Sequence, residues 1–513
     1  MKSQNLIDSL LDDSCKIKKS GQFCTERSIL ELFAIMKLTL VVVGLLAAAT
    51  LVKAVEDVKD VPAFVRTLEN LYRGPPVDSH IESRAVQTEW ITQKLDHFDE
   101  AEERTWQMRY MFNDEYFEEG GPMIFYLGGE WEIKAGSISS GILVDIAKEH
   151  KGMLFYTEHR FYGQSKPTAN ILPENLKYLH VKQALADLAH FIEHKRETVP
   201  ALANAKVIMA GGSYSATMVV WFKKLYPHLL TGGWASSAPI LAKVDFFEYK
   251  EVVGKALREL GSEQCYQRVE NGVAELQAMI TGKRSAEVKA MLKLCNSFDH
   301  HNDLDLWSLF GSISNIFSGI VQYQSEGDVP YYCDYLMSFD DDLTAISNFF
   351  LWSVGVTSGC ADVSYKSTLA YYLDSTYANG ASRPWYYQTC NEYGWYQSSG
   401  SPNQPFGSKF PVTLYTTLCA DIFGQKYSNE HIHELVAQTN EDFGGLNPEV
   451  ENVYMTHGAL DPWSAMGHGE EEGASVIPRA SHCADFGSIS SGDSAEMRAS
   501  KEKLLELVRE WLK

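Results

Sequence analysis

Residues 207–216 read Val-Ile-Met-Ala-Gly-Gly-Ser-Tyr-Ser-Ala, and the chain continues as Thr-Met-Val-Val-Trp-Phe-Lys-Lys-Leu. An apolar run that breaks into glycines around one serine and then resumes at helical spacing predicts a strand, a sharp turn and a helix. This layout pushes a serine hydroxyl out at the top of a parallel sheet and aims the next amides at the oxygen of an attacked carbonyl. Ser213 is therefore the candidate nucleophile. The usual pattern is Gly-x-Ser-x-Gly, whereas here Ser215 stands at the last glycine. The bland alternative is a plain glycine-serine turn.

A serine nucleophile needs a base, and the base needs an orienting acid; on such sheets they follow in the order Ser, Asp, His. Val453-Tyr454-Met455-Thr456 reads as a short strand, and Asp461 lies in the loop that would leave it. Ala474 to Pro478 reads as the next strand, followed by Arg479-Ala480-Ser481-His482-Cys483-Ala484-Asp485. On this reading His482 takes the serine proton, while Asp461 holds the imidazole in the right tautomer and stabilises its charged form. Gly128-Gly129-Glu130 ends an apolar strand, so the Gly129 backbone is a second candidate oxyanion donor beside the amide of Tyr214; a plain turn is the alternative.

Gly-Gly-Ser-Tyr, the later Asp-Pro-Trp and the His-Cys-x-Asp loop resemble the prolyl carboxypeptidase, dipeptidyl peptidase II and thymus-specific serine protease family, most of all its invertebrate thymus-specific-protease-like branch. Further matches are Gln93-Lys94-Leu95-Asp96-His97-Phe98, Leu127 to Glu130, Glu158-His159-Arg160-Phe161-Tyr162-Gly163, Trp234-Ala235-Ser236-Ser237-Ala238-Pro239 and Trp385-Tyr386-Tyr387-Gln388-Thr389-Cys390. They run from about residue 85 to about 490 in the family's order. The resemblance implies an α/β-hydrolase core with an inserted helical cap domain. It also implies a serine exopeptidase that acts on peptides near proline or small residues, needs no cofactor or metal, and forms a homodimer. By resemblance Trp463 lines the substrate pocket, although a large aromatic is otherwise most often core. Glu130 is a candidate anchor for a substrate's free amino terminus, with an internal pair to Arg160 as the alternative. Where the family often has Gly-Gly-Met after Gly-Gly-Ser-Tyr, this chain has Ser215-Ala216-Thr217, so strict proline preference is not implied. His457 replaces an asparagine common in the acid loop, as a loop residue or as a competitor for the role of base.

The expected domain order is an upstream extension at 1–35, a signal peptide at 36–54, a first core segment at 56–240, the cap at 241–375 and a second core segment at 376–513. The signal reading rests on a lysine, an apolar run and a small residue at Ala54, all following Met36. Its rival is an uncleaved anchor. Residues 56–90 read as a poorly patterned lead-in, and strand and loop patterning is expected to resume after Trp385.

The nine cysteines add to the case for export. Six fall between Cys265 and Cys419, enough for three disulfides of unreadable connectivity, and Cys483 is left as a small buried residue. A formal net charge of −22 and a sequence pI near 5.1 argue against nucleic acid or an anionic membrane surface as a partner and leave peptides as the expected ones. The location expected is secreted, extracellular or lysosomal. The His300-His301 and His431/His433 groups lack zinc-protease spacing and read as solvated faces. Two other functional classes share parts of this pattern. A carboxylesterase or lipase would share the turn and the three residues, and a catalytically silent binding protein would keep only the fold.

Overall fold

The apolar run at the turn is a strand at the centre of an eight-stranded sheet. The structure, a computed structural model, describes residues 61–75, 85–356 and 359–513; the extension and signal peptide expected at 1–35 and 36–54 lie outside them. In chain order the strands are β1 Val86–Lys94, β2 Thr105–Asn113, β3 Met123–Leu127, β4 Met153–Thr157, β5 Val207–Gly212, β6 Gly232–Ser236, β7 Lys243–Asp245, β8 Gly394–Tyr396, β9 Val453–Gly458 and β10 Ser475–Ile477. The main sheet runs β1-β2-β4-β3-β5-β6-β9-β10. β1 and β2 pair antiparallel, as do β2 and β4, and every other neighbouring pair is parallel. This is the α/β-hydrolase arrangement.

β3, β5 and β6 are buried along their whole length, as strands covered on both faces by helices must be. Alternation along β3 sends Ile124 and Tyr126 to one face, where they pack with Ile142 and Ile146 of the helix Ile142–His150 and with Leu504 and Val508 of the closing helix Ala495–Trp511. Phe125 goes to the other face, edge-on to Phe191 of the helix Val181–Thr198. The lead-in is more ordered than expected. Ala63–Glu69 is a helix that buries Phe64, Val65 and Leu68, and β1 begins at Val86.

Among the described residues between β6 and β9, none forms a strand of the main sheet. That stretch carries helices Glu248–Ala256, Glu263–Thr281, Asp303–Gln322, Asp328–Met337 and Asp342–Ser353, and a two-stranded parallel sheet of β7 and β8. After Trp385 the observed order departs from expectation. Helices Val412–Phe423 and Asn429–Phe443 precede β9, the first because Leu414, Leu418 and Ile422 repeat at four-residue spacing and are all buried. Disulfides join Cys265 to Cys333, Cys295 to Cys360 and Cys390 to Cys419, and Cys483 is free and buried. The helix Asp303–Gln322 is long and apolar enough to cross a bilayer by composition, but it is largely buried within the protein.

Candidate active site

β5 delivers Ser213 in a backbone conformation that few side chains adopt, with φ +61° and ψ −134°. The glycines before it are required by close approach. A Cβ on Gly211 would lie 2.3 Å from Ser215 O, and one on Gly212 would lie 3.1 Å from Cys483 Sγ. The Ser213 amide donates to Ser236 O at 3.0 Å, which pins the turn to β6 before the helix Tyr214–Leu225 begins. The departure at Ser215 is accommodated. Its hydroxyl donates to Gly212 O at 2.9 Å and accepts from the Gly212 amide at 3.0 Å, so the side chain stitches the turn.

The end of β9 leads into Asp461, and the end of β10 into His482. Nδ1 of His482 lies 3.0 Å from each Asp461 carboxylate oxygen, and both side chains are buried. Asp461 Oδ1 also accepts from the Trp463 amide at 2.9 Å, which fixes the carboxylate at the start of a 3₁₀ turn. Burial alone would raise the Asp461 carboxyl, but the adjacent imidazole holds it below the usual range. Burial would likewise lower His482, but the Asp461 carboxylate and the neighbouring Cys483 together raise the imidazole well above its ordinary value. Nε2 of His482 has no hydrogen-bond partner among the described residues. Its loop is close to the serine turn: the Cys483 amide donates to Ser237 Oγ at 2.9 Å, one residue beyond the carbonyl that holds Ser213.

Residues 93–504 match the family described as Serine carboxypeptidase S28. The chain belongs to this family. It is therefore a serine-type peptidase, a hydrolase whose substrates are peptides. Among its relatives, the K12H4.7 protein of Caenorhabditis elegans is 30% identical over 494 residues, covering 87% of this chain and 94% of its own. The human thymus-specific serine protease is 29% identical over 450 residues, covering 83% and 86% respectively. The bovine lysosomal Pro-X carboxypeptidase is 28% identical over 455 residues, covering 82% and 87%.

Within this S28 peptidase, Gly129 and Glu130 follow β3. A side chain at Gly129 would strike the Trp131 ring at 2.5 Å, so glycine is needed there whatever its backbone does. Glu130 is only 3% exposed, and its Oε2 has no partner. Burial pushes its carboxyl up to about 8, against the pull of His482. The internal pair with Arg160 does not form. Arg160 forks onto Asp187, Nε to Oδ2 at 2.7 Å and Nη2 to Oδ1 at 2.8 Å, and donates to the carbonyls of Leu95 and Tyr178.

Trp463 is buried, with its ring centroid 6.3 Å from that of His482, and it also belongs to an aromatic cluster with Phe246, Tyr249 and Trp395. The ring is thus packed in the core, with His482 as a neighbour. His457 is buried with neither ring nitrogen bonded, and burial pushes it down to about 4, so it is neutral near pH 7. Asp461 hydrogen-bonds His482 instead. Asp485, in the His-Cys-x-Asp motif, has a structural role that the sequence reading does not assign. It is buried and accepts from Ser236 Oγ at 2.5 Å and Thr456 Oγ1 at 2.6 Å, so it ties the His482 loop to the ends of β6 and β9. The recurrence of Ser236 and Asp485 in two motif segments was the available signal.

Proposed function

We propose that this S28 peptidase is a secreted or lysosomal serine exopeptidase in which Ser213, His482 and Asp461 carry the chemistry. Ser213 Oγ attacks the scissile carbonyl and its proton passes to Nε2 of His482, whose Nδ1–H is held by Asp461. The amides of Tyr214 and Gly129 receive the oxyanion. Collapse returns the proton to the leaving amine, and water releases the acyl group by the same steps in reverse order. No step calls for a cofactor. The observation that carries this reading is the buried Asp461–His482 pair beside the left-handed serine turn. The three disulfides and the lysosomal relative support the location.

Dipeptide release is the finer reading. A buried carboxylate oxygen with no internal partner suits an incoming ammonium, and Glu130 lies within electrostatic reach of His482. The second reading, removal of C-terminal residues, is favoured by the relative named a Pro-X carboxypeptidase. Mass spectrometry of products from peptides free at both ends, or blocked at one, separates the two. N-terminal dipeptides that vanish when the amine is blocked support the first reading. Single C-terminal losses indifferent to that block establish the second, and ester hydrolysis without peptide cleavage overturns both.

A further inference from the structure

The helix Asp303–Gln322 ends against the loop that carries His482. A helix leaves its last four carbonyls without partners of its own, and here two are satisfied from across the fold. Ser481 Oγ lies 2.5 Å from Val321 O and 2.9 Å from Gln322 O, and the His482 amide donates to Gln322 O at 3.2 Å. Gln324 extends the seam, its Nε2 donating to Arg479 O at 3.1 Å.

Gln322 is 1% exposed, and its side chain reaches in three directions. Its Oε1 accepts from Trp463 Nε1 at 3.1 Å and from the Tyr249 hydroxyl, while its Nε2 donates to Leu71 O at 2.8 Å. One residue of the inserted helices thus touches the His482 loop, the Trp463 that follows Asp461, the helix Glu248–Ala256 and the N-terminal segment. The sheet does not need this seam, because each strand near the site is already paired in its own ladder.

We propose that Gln322 and the end of its helix are a positioning device that holds His482 in register with Ser213. This rests on the triad reading above. The Asp461 hydrogen bonds set the tautomer and tilt of the ring, but they do not place the backbone that carries it. At His482 and Cys483 themselves the backbone is held on one side by Ser237 Oγ and on the other by the helix carbonyls, between the flanking anchors at Ala480 O and Asp485. A displacement near 1 Å costs on the order of 10² in rate. The same helix end carries partial negative charge, which favours the imidazolium formed when Ser213 attacks. The insertion on this account helps to position the catalytic residues.

The test uses the full chain with Ser481→Ala, Ser481→Thr and Gln322→Leu. It reads kcat and KM on a peptide amide, the rate of labelling by a fluorophosphonate, and thermal unfolding. Ser481→Ala, which removes a single hydroxyl, is expected to lower kcat about 10- to 100-fold with KM within about twofold. Labelling should slow by the same factor, because it reports serine activation without a peptide. Ser481→Thr, which keeps the hydroxyl, should recover most of the rate, and Gln322→Leu should match or exceed the Ser481→Ala loss. A folded Ser481→Ala variant with unchanged kcat and labelling, or one that loses rate through KM alone, overturns the proposal even if Gln322→Leu fails to fold. Ser213→Ala runs alongside: full activity there would sink the triad reading itself, a result distinct from failure of the positioning role.

Discussion

Two buried carboxyl groups flanking the same sheet are treated in opposite ways. Asp187, on the helix Val181–Thr198, receives both arms of the Arg160 fork and lies 2.7 Å from the His97 ring, and the guanidinium together with these hydrogen bonds holds it below its usual range despite burial. Glu130, at the end of β3, keeps one oxygen without a partner and is pushed up to about 8. A buried charge is tolerated when its counter-charge is built in. Glu130 has no such fork among the described residues, and burial favours its protonated form instead. The difference separates a carboxyl held charged by built-in partners from one that burial leaves protonated, and the two should therefore fail differently when altered.

The sharpest separation is expected at Ser213. Ser213→Ala should lower kcat on the order of 10⁶-fold while leaving the urea midpoint in place, because it removes a nucleophile and no packing. Steady-state kinetics with denaturant titration on the same preparation checks both halves. Asp461→Asn comes next. It keeps the shape but frees the imidazole to adopt the wrong tautomer, which costs on the order of 10⁴ in kcat. A fall of less than tenfold would remove Asp461 from the mechanism.

Asp187→Ala is the opposite case. It strands the Arg160 guanidinium inside the protein, and a broken buried pair costs about 3–5 kcal/mol. Urea unfolding should show that loss, with kcat of the remaining folded enzyme within a few-fold of the parent. A large kcat effect at unchanged stability would erase the distinction drawn here.

The smallest expected effect is at Glu130. The folded carboxyl titrates near 8 rather than 4.5, so the folded state keeps a proton that the unfolded chain releases. Its contribution to stability is full below pH 4.5 and is lost as pH rises toward 8. Glu130→Gln should flatten that part of the stability–pH curve, and it should raise KM about 10- to 100-fold for peptides with a free amine, the worth of a hydrogen bond to a charged group. Amine-blocked peptides should be indifferent. Equal losses for both peptide types would take the ammonium role away from Glu130.

Local pattern was enough for the parts of the site that are themselves local. The β5 turn was legible because glycines, a serine and a change of periodicity occur within ten residues, and the strand-end placement of Asp461 and His482 was legible because each follows a short strand. The cysteine count implied three disulfides, yet only the fold paired Cys265 with Cys333, Cys295 with Cys360 and Cys390 with Cys419. The helices at Val412–Phe423 and Asn429–Phe443 were overlooked behind the loop-rich composition before them. Burial decided the remaining questions. Whether Arg160 meets Glu130 or Asp187, whether His457 or His482 bonds Asp461, and whether Gln322 touches the His482 loop all depend on which distant segments share an interior. A buried polar group must take the partner that tertiary packing brings within about 3 Å, and no spacing along the chain encodes that distance.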